Sequence, residues 1–349
     1  MTHPSFPVEL IRSLFSYVSD TRTILSLLYV CRHIHDEAER LLYNDLFLSD
    51  LGTGRRRRLL MMRLRDTPRL AQHVRFLSLR LTPDSALLPS SPLTAPIHLM
   101  MNLVELDVMI FGPGLPATEI MRNCQAQLRH LYFWTDGALN LTAFLERQPQ
   151  LLSLALSTGD GTVPLPQPSA LPNLRFLAAN HTRIIRGLMS GRNIIGLKWT
   201  QPEHHEDRLR TNDITPSWQL AVGNLRVLDI STFQDPSIDI MVMVPYLTKV
   251  MILFTSQRDA ISGDLLAALP ALRIVSLSFS VSWSDPERKK IVEDIFAKNP
   301  GLIFVENVSW YGHGRFKGGL EEVYGNPTSC LTGPTSDVGR VWILMLRTP

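Results

Sequence analysis

A short phrase that returns along most of this chain constrains its fold more than any other feature: an apolar residue followed at +3 and +5 by two more. The clearest copies are Leu103-Leu106-Val108, Leu128-Leu131-Phe133, Leu151-Leu154-Leu156, Leu174-Leu177-Ala179, Leu225-Leu228-Ile230, Leu247-Val250-Ile252 and Leu272-Val275-Leu277. Weaker copies start at Val74, Ile194 and Leu302. Successive copies are separated by about 25 residues on average, a period at which one supersecondary unit repeats. Proline often stands just ahead, as in Pro149-Gln150-Leu151, Pro172-Asn173-Leu174 and Pro270-Ala271-Leu272, where it stops one element before the next begins. Between the phrases lie amphipathic stretches at 138–147, 182–190 and 259–269. The best signalled is Asp285 to Lys298, with Asp285 as cap, Pro286 in the first turn and Ile291, Val292, Ile295 and Phe296 as the apolar stripe. One strand and one helix per unit cannot hide the inward leucines alone, so the units must stack.

This pattern resembles the leucine-rich repeat, which implies a solenoid with a curved parallel sheet. The family places Asn or Cys at +8 to tie the turn after each strand. The matching positions here include Phe111, Asp136, Gly159, Thr182, Phe233 and Ser280, so no asparagine ladder is expected there. Unequal spacing predicts an irregular arc with an insertion near Gln201 to Trp218. If +3 and +5 point inward, strand alternation sends +2, +4 and +6 to the concave surface. That assigns a candidate protein-binding face to Asp107, His130, Tyr132, Trp134, Phe176, Lys198 and Asp229, with Lys249, Met251 and Leu253 for the repeat led by Leu247. The aromatic trio on one strand carries the largest contact area of the set.

The first fifty residues have a different period. Leu10, Ile11, Leu14, Phe15 and Val18 recur at helical spacing, Ser19-Asp20-Thr21 breaks and caps, and Ile24, Leu25, Leu27, Leu28 and Cys31 begin a second helix. A third starts near Asp36 with Ala38, Leu41 and Leu42 inward. Three such helices enclose little core, so an apolar face is left over for a partner. Phe6-Pro7-Val8-Glu9-Leu10-Ile11, answered by Val30-Cys31-Arg32, resembles the F-box, with Phe6 and Ile34 where that family usually has Leu and Trp. The resemblance implies docking of a Skp-type adaptor that joins a cullin scaffold, through Pro7, Glu9, Leu10, Ile11, Phe15, Leu27, Val30 and Cys31. It makes the chain the substrate-recognition subunit of an SCF-type ubiquitin ligase, of a fungal-type F-box and leucine-rich-repeat kind.

The expected organisation is thus an α/β chain: a short N-terminal three-helix F-box-like module (1–50), a basic linker helix (51–66), and an irregular leucine-rich-repeat solenoid with a C-terminal cap (67–349). The segment 311–319 reads as a loop and Val341 to Leu346 as a last strand closing the sheet. No GxSxG, HExxH, Walker, CxxC or kinase pattern occurs, which points away from an enzyme and calls for no cofactor. His204-His205-Glu206-Asp207 reads as a solvated loop in preference to a metal site. Cys31, Cys124 and Cys330 are odd in number and far apart, so no disulfide framework is expected. With 35 Lys and Arg against 32 Asp and Glu, the net charge of +3 is too small for a general nucleic-acid footprint. The run Arg55 to Arg58, with Arg63 and Arg65, carries the minor alternative of RNA binding. The other alternative is a repeat scaffold that recruits no ligase. No membrane segment or secretory signal is expected, so the chain is placed in the cytoplasm, the nucleus or both.

Overall fold

The computed structural model describes residues 7–15, 17–18, 20–48, 54–81, 96–111, 117–136, 140–159, 163–200, 214–230, 242–255, 263–278, 285–309, 312–317 and 320–323. Three helices open the chain: α1 (Val8–Phe15), α2 (Thr21–Leu27) and α3 (Arg32–Asn44). The Asp20 side chain caps α2 by accepting from the Thr23 amide at 2.9 Å. Then follow β1 (Asp45–Leu48), α4 (Gly54–Asp66), α5 (Pro68–Ala71), β2 (Phe76–Leu81), β3 (Glu105–Ile110), α6 (Ala117–Asn123), β4 (His130–Thr135), α7 (Thr142–Leu145), β5 (Ser153–Thr158), β6 (Phe176–Ala179), α8 (Thr182–Met189), β7 (Gly196–Trp199), α9 (Pro216–Val222), β8 (Val227–Asp229), β9 (Ile252–Thr255), α10 (Gly263–Ala267), β10 (Ile274–Ser278), α11 (Asp285–Lys298), β11 (Phe304–Ser309), β12 (Gly312–Lys317) and β13 (Leu320–Val323).

The thirteen strands of the described residues join one sheet in chain order. Pairing is parallel from β1 to β11 and antiparallel across β12 and β13. The chain is therefore a leucine-rich-repeat solenoid, α/β, with an open curved sheet. The +3 and +5 residues do the expected work: Leu106, Val108, Leu131, Leu154, Leu177, Leu197 and Leu228 are all buried to within 1% of full cover, in a core that runs from Leu46 to Leu302. Each unit hides its leucines against the next, as stacking requires.

Four local readings change. First, β1 falls within 1–50 and pairs with β2, so α4 lies between two strands of the sheet as the helix of an opening repeat. Second, the phrase led by Leu247 is one helical step out of frame. Ile252 aligns with Val227 and Ile274, which makes Val250-Leu253-Thr255 the true copy. Leu253 is buried, while Ile252 and Phe254 are half-buried on either side of it. Leu247, Val250 and Leu253 are three apart, so two frames fit, and the polar Thr255 concealed the right one. Third, Gly312–Lys317 is a strand paired with β11, not a loop. Fourth, single side-chain amides tie neighbouring repeats at positions other than +8. Asn102 Nδ2 donates to the Gln72 carbonyl (2.8 Å), Asn173 Nδ2 to Pro149 (2.9 Å) and Gln127 Nε2 to Arg147 (3.1 Å), each from the residue just before a leading leucine. Asn180 engages both backbone groups of Thr158, and Gln148 bridges the Leu128 amide and the Ala126 carbonyl. At +8 itself Gly159 is required by space, since a Cβ there would lie 2.5 Å from the Asp136 carbonyl oxygen. Val341 to Leu346 lies outside the described residues.

Arg192 shows how the irregular stretch is fixed. Its guanidinium, in a residue only 6% exposed, donates to the carbonyls of Gly187 and Leu188 at the end of α8 and to those of Pro166, Gln167 and Ala170 in the preceding connection. One side chain thereby satisfies five carbonyls that neither helix nor strand uses.

Candidate interaction surfaces

The helical module closes a small core of its own. Ile11, Phe15, Ile24 and Ala38 are buried together, with Val18, Leu27, Leu28, Ile34, Leu41 and Leu42 packed around them. Glu37 fastens α1 to α3. It is 6% exposed and accepts from Arg12 Nε and Arg40 Nε, both at 2.7 Å. Burial alone would push its carboxyl up, yet the hydrogen bonds and charges of Arg40 and Arg12 outweigh that and hold it below the usual range. His35 Nδ1 meets the Leu28 carbonyl at 2.8 Å and fixes the turn between α2 and α3. The module joins the array through α3, which runs directly into β1, and through Arg69 on α5, which pairs with Asp36 and Glu39 of α3.

This closure leaves an apolar face outside. Leu10 is 50% exposed and Leu14 59%, one turn apart on α1, followed by Tyr17; Leu25, Tyr29 and Val30 are exposed at and beyond α2. Of the residues expected to dock an adaptor, Pro7, Glu9, Leu10, Val30 and Cys31 are exposed and Leu27 is half-buried. Ile11 and Phe15 are spent on the module's own core, so they shape the face without forming it. Leu14, Tyr17, Leu25 and Tyr29 belong to it instead. Helical spacing marks which residues are apolar, but choosing which of two adjacent apolar stripes faces inward needs the third helix.

On the sheet, β4 alternates: Leu131, Phe133 and Thr135 are buried, while His130, Tyr132 and Trp134 are half-buried at the intervening positions. Trp134 packs on Phe111, their ring centroids 4.6 Å apart. Asp107 aligns beside Tyr132, but at 4% exposure it is not on display. Its Oδ2 accepts from Ser78 Oγ at 2.9 Å and its Oδ1 has no hydrogen-bond partner. Burial raises the Asp107 carboxyl above the ordinary range, against the opposing pull of the Ser78 hydrogen bond and the Arg80 charge. Asp229 is also buried, at 1%, with Lys198 Nζ 3.2 Å from its Oδ2. Strand parity alone does not separate such buried acids from residues on display. Phe176 is half-buried two strands from Tyr132, and the small side chains of Ser153, Ala155, Ser157 and Ala178 make a shallow floor between them.

Among the described residues no group of three His, Cys, Asp or Glu side chains stands close enough to hold a metal ion. His204 to Asp207 and the side chains of Arg55, Arg56 and Arg57 lie outside what is described. Cys124 is buried and its thiol is pushed up to about 11, so it is an inert core residue. No helix among the described residues is long and apolar enough to cross a membrane.

No family model and no curated protein matches the chain. Among solved structures it is similar to the leucine-rich-repeat protein LegL7 from Legionella pneumophila, at 13% identity and a TM-score of 0.39 over 67% of this chain and 91% of that one. It is also similar to internalin C2 from Listeria monocytogenes (16%, 0.29, covering 69% and 84%) and to the yeast Rad7 and Elc1 complex (14%, 0.34, covering 97% and 100%).

Proposed function

We propose that this chain is a non-catalytic receptor subunit of a cullin-type ubiquitin ligase, which docks a Skp-type adaptor through its N-terminal helices and holds a target protein against its concave sheet. The observation that carries this reading is the exposed set Leu10, Leu14, Tyr17, Leu25, Tyr29 and Val30 on a module whose own core is already closed. Large apolar side chains gathered on a few short helices are a contact surface awaiting a partner, and burying them is favourable at about 25 cal/mol per Å² before association costs. Support on the target side comes from the half-buried aromatic column His130, Tyr132 and Trp134 with Phe111 beside it. In this reading ubiquitin transfer is performed by other subunits, the chain needs no cofactor, and it works in the cytoplasm, the nucleus or both.

The test is capture of purified Skp-type adaptor by the full chain. Leu10→Asp removes capture while leaving thermal unfolding unchanged, because Leu10 is outside both cores. Failure of the parent chain to bind the adaptor sinks the ligase reading and leaves a repeat scaffold that acts by protein contact alone.

A further inference from the structure

The residue immediately before each strand forms a row along the rim where the chain enters the sheet, since strand registers align these positions from β2 to β11. Every second position in that row is arginine: Arg75, Arg129, Arg175, Arg226 and Arg273. The positions between are all apolar: Val104, Leu152, Ile195, Met251 and Ile303. The row is tied by backbone bonds from each repeat to the next, such as Arg129 N to Val104 O and Leu152 N to Arg129 O, both 2.8 Å. Four of the arginines are exposed and Arg175 is half-buried, and none of the five is ion-paired among the described residues.

Packing explains the alternation only in part. Arginines on neighbouring strands would stand about 5 Å apart and repel, whereas every second strand separates them by about 10 Å and lets each stem lie on an apolar neighbour. Arg175 and Arg273 also brace the next repeat, donating to the Asn193 carbonyl (3.3 Å) and the Gly301 carbonyl (2.8 Å), two residues ahead of the apolar member in each case. Bracing does not account for Arg75, Arg129 and Arg226, which make no such bond. Five cations without counter-ions among the described residues, evenly interleaved with apolar side chains, are complementary to a ligand that alternates in the same way.

We propose that this rim binds an extended acidic–apolar polypeptide segment, with an acidic side chain at about every third residue. A polyproline-type chain advances about 3.1 Å per residue, so three residues match the two-strand interval between arginines. A polypeptide is favoured over single-stranded nucleic acid because the intervening positions carry aliphatic side chains and no aromatic platform on which bases stack. The surface is separate from the exposed face of the helical module, and the inference does not depend on adaptor docking.

The probe is a synthetic peptide of Glu-Val-Pro repeats, about twelve residues long to match the distance from Arg75 to Arg273. Fluorescence anisotropy with the full chain compares it with a peptide of the same composition whose glutamates are in one block, and with oligo-dT. The in-register peptide binds tightest, weakens as salt rises, and loses about tenfold in affinity to the combined Arg75→Gln, Arg129→Gln, Arg226→Gln variant. The same three positions changed to Lys retain most of the binding, and unfolding of both variants matches the parent. Equal binding of the block peptide overturns the proposal, as do tighter binding of oligo-dT, no binding at all, and indifference to the glutamine changes.

Discussion

Among the described residues, Ile11, Phe15, Ile24 and Ala38 are the buried apolar residues of the helical module, whereas each repeat of the array adds its own leucines to a core continuing from Leu46 to Leu302. The two regions also use buried charge differently. In the module Glu37 is met by two guanidiniums; in the array Asp107 is buried with one oxygen unmatched. A region with a small core leans on specific polar fasteners and keeps apolar surface to spare, while a stacked array, which has fasteners of its own in Arg192 and the Lys198–Asp229 pair, also tolerates an unmatched buried oxygen because its neighbours supply the cohesion.

The comparison is broken most severely at Arg192. Arg192→Ala removes a donor from five carbonyls, of which, among the described residues, only Gln167 keeps another in the Ala170 amide, and is expected to cost the array about 3–5 kcal/mol in urea unfolding, with the module's face unchanged in adaptor capture. Glu37→Gln is expected to cost about 2 kcal/mol, felt first by the module as loss of protection from proteolysis between α1 and α3. Its pH signature follows from a folded carboxyl held below its unfolded value. The stabilisation is complete above the ordinary glutamate range and is lost as pH falls through the folded value, and Glu37→Gln removes that slope.

Asp107→Asn sharpens the contrast with an effect of about 1 kcal/mol and opposite sign. Its folded carboxyl is raised, so stability declines as pH climbs from the ordinary aspartate range through the folded value. The asparagine variant loses this dependence and is the more stable of the two at neutral pH; an unchanged pH–stability curve would refute the assignment. Smallest is Leu10→Asp, expected to change stability by about 0.5 kcal/mol or less, which separates a contact surface from a core residue.

Repetition made the array legible: Leu131 and Leu154 announce themselves because the same physical need recurs every two dozen residues or so. Where a repeat is irregular the signal fades. The frame around Val250 slipped because three apolar residues at equal spacing allow two alignments, and β1 was hidden because Asp45-Leu46-Phe47-Leu48 continues an apolar helix without a turn signal. The displaced amides and the arginine rim are each single residues per repeat, visible only once register aligns them. In the module, the apolar residues are plain in the sequence but their division into core and surface depends on how α3 crosses α1, a long-range fact that no local spacing contains.

α3 passes into β1 with no intervening residue, and Arg69 pairs with Asp36 and Glu39 from the side, so the opening helices join the sheet without a linker. In the proposed reading, the separation between an adaptor on the helices and a target on the sheet is set by that direct join, a ruler built into the polypeptide. A few glycines inserted after Asn44 would turn that ruler into a tether, and any activity that depends on reach would fall with no contact residue altered.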